Sequence, residues 1–495
     1  MLRKSLFLSL ILIVAGCGGS AEPQVIQATL PADNANAPVY TATPTLTLTT
    51  TPTLTLTPTE TPTRTPSATL TPSPTPTASF TPTLPPSPTP ELVTLTPASR
   101  DGAPPAYANP TADFTTPEGW SCGDFPCEDD IEGFLARIQV PEGYRVSHVG
   151  RFPGQPMQIA YGRDGRLYAT VLEDGTREGA VYALDADGVA VRYSESFVSP
   201  VGLAFQPGTD VLYVSARQTM SSGGGLWRVL PDGTTERVLE DLPCCLNTID
   251  NQPNGMVFGP DGYLYLGVGS ITDHLESPIP QRQRYAELHP YEAAVLRIQP
   301  HTGETRVFAA GIRNPYDVAF DANGQFYATD NGILEGPGDR ILQIEAGGHY
   351  GWPYWRGRGC AECPLTDTSI TITPDLVTLP DYTLPRGLTV YTGTQFPANN
   401  FNQLFVTFWN GTPNGQRVVR IDPQTIPTNP EALALWQPEP FVTGLIRPVD
   451  VVIAPDGSLV VADFIYGHVW RVSFAGIDRQ EAEEPRIFVT STPRR

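Results

Sequence analysis

The sequence predicts an all-β fold, a six-bladed β-propeller, from three observations. A strand–turn–strand unit recurs six times, Asp-Gly and Asn-Gly punctuate the turns, and no amphipathic helix of convincing length separates the units. Three or four short antiparallel strands per repeat are typical of one propeller blade. An α/β fold would need helices between the strands, and a β-sandwich is the alternative that this pattern leaves open.

Each unit begins with a strand that follows a proline or a polar residue. The six first strands read PMQIAYGRDG, PVGLAFQPGTD, PNGMVFGPDG, PYDVAFDANG, RGLTVYTGTQFP and PVDVVIAPDG. After a tight turn, the second strands read LYAT, LYVS, LYLG, FYAT, LFVT and LVVA. A third strand follows in every unit, and a fourth can be seen in some. The segment FLARIQVPEGYRVSHVG precedes the first unit, and we expect it to supply an outer strand to the last blade.

Composition divides the chain into four segments. Residues 1–17 have a basic start, a short apolar run and a lipobox-like ending at Cys17, as in a bacterial lipoprotein signal peptide. Residues 18–120 are a Thr/Pro-rich linker that is expected to be a disordered stalk. The propeller is predicted at 121–475 and a polar tail at 476–495. A lipidated Cys17 would hold the protein outside the cytoplasm, on the surface of the cell membrane, without spanning the bilayer.

Charge and cysteine content restrict the partners and the compartment. The formal net charge is −21, which argues against nucleic acid as a partner. Cysteines beyond the signal peptide indicate an oxidising compartment and disulfides. Two pairs are close enough in the chain to join locally, and the partners of a third, adjacent pair stay open. These pairs are Cys122 with Cys127, Cys360 with Cys363, and adjacent Cys244 and Cys245.

Polar residues precede the first strands, and a propeller brings them together. The innermost strand of each blade lines the central channel, so the loops that enter these strands meet at one end of it, here called the mouth. The entry residues are Gln155-Pro156, Ser199-Pro200, Asp250-Asn251-Gln252-Pro253, Arg313-Asn314-Pro315, Pro385-Arg386 and Arg447-Pro448. Converging guanidinium groups repel unless an anion neutralises them, so we expect a small anionic ligand. The alternative is that each arginine pairs with a local carboxylate such as Asp250, Asp317 or Asp450.

Over roughly residues 135–475 the chain resembles the glucose/sorbosone dehydrogenase family. The resemblance rests on VPEGYRV before the first blade, AAGIRNPYDVAF, GGHYGWPYW, GLTVYTGTQFP, and RPVDVVIAPDG followed by GHVWRV. Members of that family are secreted six-bladed propellers that oxidise aldose sugars with pyrroloquinoline quinone (PQQ), often beside calcium. The resemblance implies a small sugar substrate, an external electron acceptor and a tricarboxylate cofactor that suits the arginines.

The resemblance also implies site residues. Arg313 would polarise the quinone carbonyl that accepts hydride. The resemblance places Asp250, Arg313, Asn314 and Arg447 at the cofactor, and the entry residues Gln252 and Arg386 of the same mouth are added to them. The family's general base is a histidine, but Asn251 stands at its position, and a neutral amide cannot accept the proton. His274 could fold back from the same blade.

Calcium is the second point of departure from the family. The family shows an Asp-Glu pair a few residues before its Tyr-Gly-Trp-Pro segment, where this chain has Asp339 and Arg340. A cation in place of an oxygen ligand weakens calcium binding. The remaining candidate metal ligands are Asp339 and the carbonyl groups of Gly336 and Pro337. The family's His-Gly-Ser-Trp-Asn-Arg pattern is also reduced here to TFWNG, so Trp409 and Asn410 are expected to be packing and turn residues.

Three functions fit these residues. The first is a membrane-tethered sugar dehydrogenase that uses PQQ. The second is a catalytically impaired propeller that binds a glycan or an anion, since the base is replaced by Asn251. The third is a metal-dependent lactonase, for which Asp250, Asn251 and Asn314 could supply part of a metal site.

Overall fold

The computed structural model describes the repeating part of the chain. The described residues are 95–96, 122, 125–173, 177–220, 223–245, 252–271, 289–332, 339–353, 370–380, 383–410 and 415–476. All of them lie in one unit, Leu84–Arg495. The predicted signal peptide with Cys17, nearly all of the linker, and the tail beyond residue 476 lie outside the described residues. Within these residues, no helix has the length and apolar character needed to cross a membrane.

The described residues form mainly β-strands, as predicted. The described residues also contain two short α-helices, α1 (Ile131–Arg137) and α2 (Pro430–Leu435), and one turn of 3-10 helix, Ala398–Asn400. The strands of the first half are β1 (Leu95–Thr96), β2 (Val140–Pro141), β3 (Tyr144–Arg151), β4 (Gln155–Tyr161), β5 (Leu167–Leu172), β6 (Glu178–Leu184), β7 (Ala190–Arg192), β8 (Phe197–Val198), β9 (Leu203–Phe205), β10 (Leu212–Arg217), β11 (Gly224–Val229), β12 (Thr235–Leu242), β13 (Pro253–Phe258), β14 (Leu264–Val268), β15 (Ala294–Ile298) and β16 (Thr305–Ala310). Those of the second half are β17 (Pro315–Phe320), β18 (Phe326–Asp330), β19 (Arg340–Ile344), β20 (Val377–Thr378), β21 (Pro385–Val390), β22 (Leu404–Phe408), β23 (Arg417–Ile421), β24 (Glu439–Thr443), β25 (Pro448–Ile453), β26 (Leu459–Asp463) and β27 (His468–Phe474).

These strands form six antiparallel blades, one for each sequence repeat. Blade 1 contains β4 to β7, and blade 2 contains β9 to β12. The short strand β8 pairs with both β6 and β10 and so joins these two blades in one sheet. Blades 3, 4 and 5 contain β13 to β16, β17 to β20 and β21 to β24. Blade 6 contains β25, β26, β27 and β3.

The last blade combines strands from both ends of the propeller. Strand β3 pairs with β27 from Tyr144 opposite Phe474 to Arg151 opposite His468. This confirms that the segment before the first repeat supplies the outer strand of the last blade. Each inner strand contacts the next around the ring, and β25 contacts β4, so the ring is closed.

Helix α1 packs against this closing blade. Its N-cap Asp130 accepts a hydrogen bond from the Gly133 N–H at 2.8 Å. The ring of Phe134 lies 5.5 Å from that of Trp470 and 5.1 Å from that of His468. Cys122 forms a disulfide with Cys127 just before the helix, as its spacing suggested. The sulfur atoms of adjacent Cys244 and Cys245 contact each other, whereas Cys360 and Cys363 lie outside the described residues.

The apolar core lies between neighbouring blades. Strands such as β5, β14 and β22 are buried at every residue. One cluster joins Met157 and Val171 of blade 1 with Val449 and Val469 of blade 6. Both faces of a blade are covered by its neighbours, which explains why these strands read as continuous apolar runs and not as alternating ones.

Two carboxylates join inner strands near the axis of the ring. Asp317 Oδ2 accepts a hydrogen bond from the Leu388 N–H of the next blade at 2.7 Å. Asp450 Oδ2 accepts one from the Ile159 N–H at 2.7 Å, across the junction of blades 6 and 1. The second residue after the entry proline of each blade shapes this layer: Gln158, Gly202, Gly255, Asp317, Gly387 and Asp450. A Cβ at Gly255 or Gly387 would overlap the carboxylate of Asp317 or Asp450, respectively.

Burial changes the ionisation of both groups. Loss of water raises the pKa of Asp317 to about 7, although the N–H groups of Leu388 and Val318 oppose the rise. Burial also raises the pKa of Asp450, and the charge of Asp317 raises it further. The folded protein therefore holds a proton on this pair at a pH where the unfolded chain has released it.

We predict that Asp317→Asn makes thermal stability less sensitive to alkaline pH. An acid whose pKa is raised by folding stabilises the protein below its unfolded pKa, and this stabilisation is lost as pH rises toward 7. The melting temperature of the variant, relative to wild type, should therefore be higher at pH 8 than at pH 5. Asp321→Asn, in a turn of the same blade, is the control. The prediction would be contradicted if the melting temperatures of Asp317→Asn and wild type differed by the same amount at pH 5 and at pH 8.

Candidate functional site

The mouth of the channel is framed by two sets of residues. The entry residues precede the inner strands, and the exit residues end the second strands. In the antiparallel hairpins these lie opposite each other, as in Pro315 with Asp330, Pro385 with Phe408 and Pro448 with Asp463. The entry residues were predicted from the sequence. The exit residues are recognised only from the pairing of the first and second strands of each blade.

Arg386 is held between two aromatic rings. Its guanidinium carbon lies 4.6 Å from the ring centre of Tyr316 and 4.2 Å from that of Trp409. Arg386 is 2% exposed, while Trp409 is half-buried and packs on Phe464 with 4.6 Å between ring centres. A cation over an aromatic face is attracted by the ring electrons, and two faces restrict its orientation. Trp409 therefore packs, as expected, and Arg386 is one of the groups on which it packs.

Arg447 and Arg386 both contact Trp409. Its Nη1 donates to the Trp409 carbonyl at 3.4 Å, and its backbone N–H donates to Asp463 Oδ1 at 2.9 Å. Burial lowers the pKa of Arg447; Asp463 opposes this, and the charge of Arg386 lowers the pKa further. The two guanidinium groups are thus close enough to repel, an arrangement that favours an anion between or beside them.

Arg313 lies on the adjacent entry loop. Its Nη1 donates to the carbonyl groups of Asn331 at 3.0 Å and Gly332 at 2.6 Å, and its guanidinium carbon lies 5.6 Å from the ring centre of Trp352. Asn331 Nδ2 in turn donates to the Pro385 carbonyl at 2.5 Å. This chain of bonds connects the loop of Arg313 with that of Arg386. The role of Arg313 in polarising a quinone stays a prediction.

Asn314 fixes the same loop from inside. It is fully buried, and its N–H donates to Asp330 Oδ1 at 2.9 Å. Its Oδ1 accepts a hydrogen bond from Asn254 Nδ2 at 2.7 Å, across blades 3 and 4. Asn314 therefore fixes the entry loop from its buried side. These hydrogen bonds do not test its predicted contact with a cofactor.

Gln252 is also fully buried and connects its own entry loop with the entry loop and the exit residue of blade 2. Its Oε1 accepts a hydrogen bond from Arg217 Nε at 2.9 Å, and its Nε2 donates to the Ser199 carbonyl at 3.2 Å. Its assignment as a cofactor contact stays a prediction. Arg217, which sequence analysis missed, is the exit residue of β10. Burial, together with the charge of Arg177, lowers its pKa to about 10.

The carboxylates that could have neutralised the arginines have other partners. Asp317 and Asp450 accept hydrogen bonds from backbone N–H groups of inner strands. These bonds do not support the alternative in which these two groups pair with the entry arginines. Asp250, the third candidate, lies outside the described residues.

Asp339 is the one predicted metal ligand whose side chain the structure describes. Asp339 is buried, and its oxygens accept hydrogen bonds from the Gly332 N–H, the Thr383 hydroxyl and the Leu384 N–H. Burial raises the pKa of this carboxyl. Gly336 and Pro337 lie outside the described residues. Across the ranges that the structure describes, no three His, Cys, Asp or Glu side chains group as metal ligands.

The predicted base position is not described, since Asn251 and His274 fall outside the described ranges. Four described histidines have partners of their own. His148 and His468 contact each other at 3.1 Å on the closing blade. The other two accept backbone N–H bonds: His289 from Tyr291, and His349 from Gly351. None of these hydrogen bonds joins one of the four histidines to an arginine of the mouth.

Comparison with a family model gives an independent test. Residues 233–466, from blade 2 to blade 6, match the model of glucose / sorbosone dehydrogenases. The predicted resemblance to this family is confirmed. The match includes Arg313, Asn314, Arg386 and Arg447.

Two curated proteins are similar to part of this chain. Quinoprotein glucose dehydrogenase B of Acinetobacter calcoaceticus is 22% identical over 243 residues, or 40% of this chain and 50% of the relative. An uncharacterized protein of Borreliella burgdorferi is 27% identical over 210 residues, or 38% of this chain and 53% of the relative. The chain thus spans about half the length of the curated relatives it matches.

Solved structures of two dehydrogenases share the fold. A proposed oxidoreductase (glucose dehydrogenase) of Thermus thermophilus matches with a TM-score of 0.51 and 22% identity, over 66% of this chain and 99% of the other. The soluble aldose sugar dehydrogenase of Escherichia coli, in its apo form, matches with a TM-score of 0.50 and 16% identity, over 67% and 99%. At these identities the similarity establishes the propeller architecture alone.

We predict that Asp463→Asn destabilises the loop that carries Arg447. The buried carboxylate accepts hydrogen bonds from the N–H groups of Ile446 and Arg447, and an amide nitrogen would oppose one of them. The free energy of unfolding should fall by about 1–3 kcal/mol. Urea denaturation measures it, with Asp456→Asn in an exposed turn of the same blade as the control. Equal losses in both variants would contradict the prediction.

Proposed function

We propose that the protein is an extracytoplasmic, membrane-tethered aldose dehydrogenase that uses pyrroloquinoline quinone. One observation carries the proposal: Arg386 is fixed between Tyr316 and Trp409, with Arg447 beside it. A planar quinone with three carboxylates matches paired guanidinium groups and an aromatic surface. The family match over the same residues supports this ligand class.

The chain's own residues would bind and orient the cofactor. When bound, PQQ would supply the two-electron acceptor for oxidation of the sugar. Arg386 and Arg447 would bind its carboxylates, and Trp409 would limit the orientation of Arg386. Arg313 would lie on the adjacent loop, held in place by Asn331 and Gly332. An external electron acceptor would complete the reaction.

A second function is favoured by Asn251. An amide cannot take the proton from a sugar hydroxyl, so a chain without another base would bind a ligand without oxidising a sugar. The protein would then be a glycan- or anion-binding module. The two functions share the arginine site and differ in catalysis.

We predict that quinone binding depends on Arg386 and Arg447. Either residue changed to Gln should weaken PQQ binding by about tenfold or more, since one charge-assisted contact is lost. Absorbance titration of the purified protein measures the affinity. The matched control is Arg297→Gln, because Arg297 also stacks on an aromatic ring, that of Tyr263, in blade 3. This control should bind PQQ as the wild type does.

Turnover distinguishes the two functions. Wild-type protein that fails to bind PQQ at micromolar concentrations would rule out the dehydrogenase proposal. Binding with no dye reduction by a panel of aldoses would favour the binding module. In that case Asn251→His should restore measurable dye reduction, since an imidazole can act as a base near neutral pH.

We further propose that Cys17 is lipidated and anchors the protein. The apolar run and small residues before Cys17 support this assignment. Wild-type protein expressed in a bacterial host should incorporate a labelled fatty acid and sediment with membranes. Cys17→Ser should lose the label and leave the membrane fraction. Equal labelling of both proteins would contradict lipidation at this residue.

A further inference from the structure

A buried ion pair lies directly behind the loop of Arg313 and Asn314. Arg340 is 2% exposed and Asp330 is 1% exposed. Arg340 Nε and Nη2 donate to Asp330 Oδ2 at 3.1 and 2.5 Å, and Nη1 donates to the Tyr350 carbonyl at 2.8 Å. One guanidinium group thus binds a carboxylate and a backbone carbonyl at once.

The ion pair is bonded to the entry loop through a single carboxylate. Asp330 Oδ1 accepts the N–H of Asn314 at 2.9 Å, while Oδ2 binds Arg340. Asp330 can keep its charge in this apolar position because Arg340 neutralises it. The orientation of Asp330, and with it the position of Asn314, therefore depends on Arg340.

Carboxylate and carbonyl oxygens are also the donors that calcium prefers. In this structure the oxygens of Asp330 and Tyr350 face a guanidinium group. The nearby Asp339 accepts three hydrogen bonds from the protein itself. A calcium ion at this place would have to bind the oxygens of Asp330 and Tyr350. The guanidinium group of Arg340, which is bonded to both, would repel it. The residues described here thus do not fit a calcium ion at this place.

We propose that Arg340 takes the place of a metal ion, as a positioning residue that holds the loop of Arg313 and Asn314 and makes the quinone site independent of calcium. The proposal rests on the proposed function for its quinone part. The metal part concerns stability alone and can be tested without the quinone.

The first test compares the thermal unfolding of wild-type protein in EDTA, in millimolar CaCl2 and in MgCl2. A ligand that binds the folded state raises the melting temperature. We expect the same melting temperature in all three buffers. A saturable increase of several degrees in CaCl2 that MgCl2 does not produce would overturn the proposal.

The second test uses variants of Arg340. Arg340→Gln leaves Asp330 buried without a counter-charge and should lower the melting temperature by about 6–10 °C in every buffer. Arg340→Glu places a second carboxylate beside Asp330 and the Tyr350 carbonyl. It should be destabilised in EDTA, and CaCl2 should restore much of the loss while MgCl2 should not. No response to calcium in this variant would overturn the assignment of these oxygens as a cation site.

The third test separates positioning from general stability. Arg420 of blade 5 is also buried, and its Nη2 donates to Glu439 at 2.5 Å, so Arg420→Gln is the matched control. Arg340→Gln should weaken PQQ binding by about tenfold to a hundredfold, while Arg420→Gln should not. Arg340→Lys keeps the charge and should recover part of the affinity. Equal quinone affinity in the two glutamine variants would overturn the positioning role.

The three tests distinguish failure of the proposed function from failure of the proposal for Arg340. If wild-type protein does not bind PQQ, the proposed function fails, while the metal comparisons still test the role of Arg340. If PQQ binds and calcium stabilises the wild type, the proposal for Arg340 fails alone. Should Arg340→Gln and Arg340→Glu not fold, the wild-type comparison and Arg340→Lys remain decisive.

Discussion

The pairing of β3 with β27 is the constraint on which the architecture depends. It joins a strand before the first repeat to the last strand of the propeller, so blade 6 contains both ends of the repeating domain. Because the ring closes, the starts of six inner strands gather at one mouth. Arg386 and Arg447 come from consecutive blades, and Tyr316 comes from a third. The arginine site therefore depends on the packing of three consecutive blades of this ring.

The repeats and the inner strands could be predicted from the sequence. Each repeat combines a continuous apolar run, a turn and a second apolar run, and the runs are continuous because both faces of each blade are buried. The entry arginines could be found for the same reason, since their position relative to the run is fixed. The outer strand of the last blade could be found because its segment precedes the first complete repeat.

The partners of these residues could not be predicted. Asp317 and Asp450 looked like possible counter-charges for the arginines, yet each accepts an N–H from another blade. That choice depends on how neighbouring strands are offset at the axis, which no single repeat reveals. Trp409 and Arg217 were missed as site residues because they lie at strand exits, where the sequence has no common residue type. Arg340 was noted only as a cation in the place of a ligand, and its bond to Asp330 joins adjacent strands, β18 and β19.

The axial layer also has a consequence for how such a domain can be rebuilt. The carboxylates of Asp317 and Asp450 each occupy the space that a side chain at Gly255 or Gly387 would need, and each holds the backbone of a neighbouring blade. A blade is therefore not an interchangeable cassette, although its sequence repeats. A chimera that takes one blade from another propeller must keep an aspartate on one side of each such junction and a glycine on the other. Without the glycine a side chain would overlap the carboxylate, and without the aspartate the hydrogen bond between neighbouring blades would be lost.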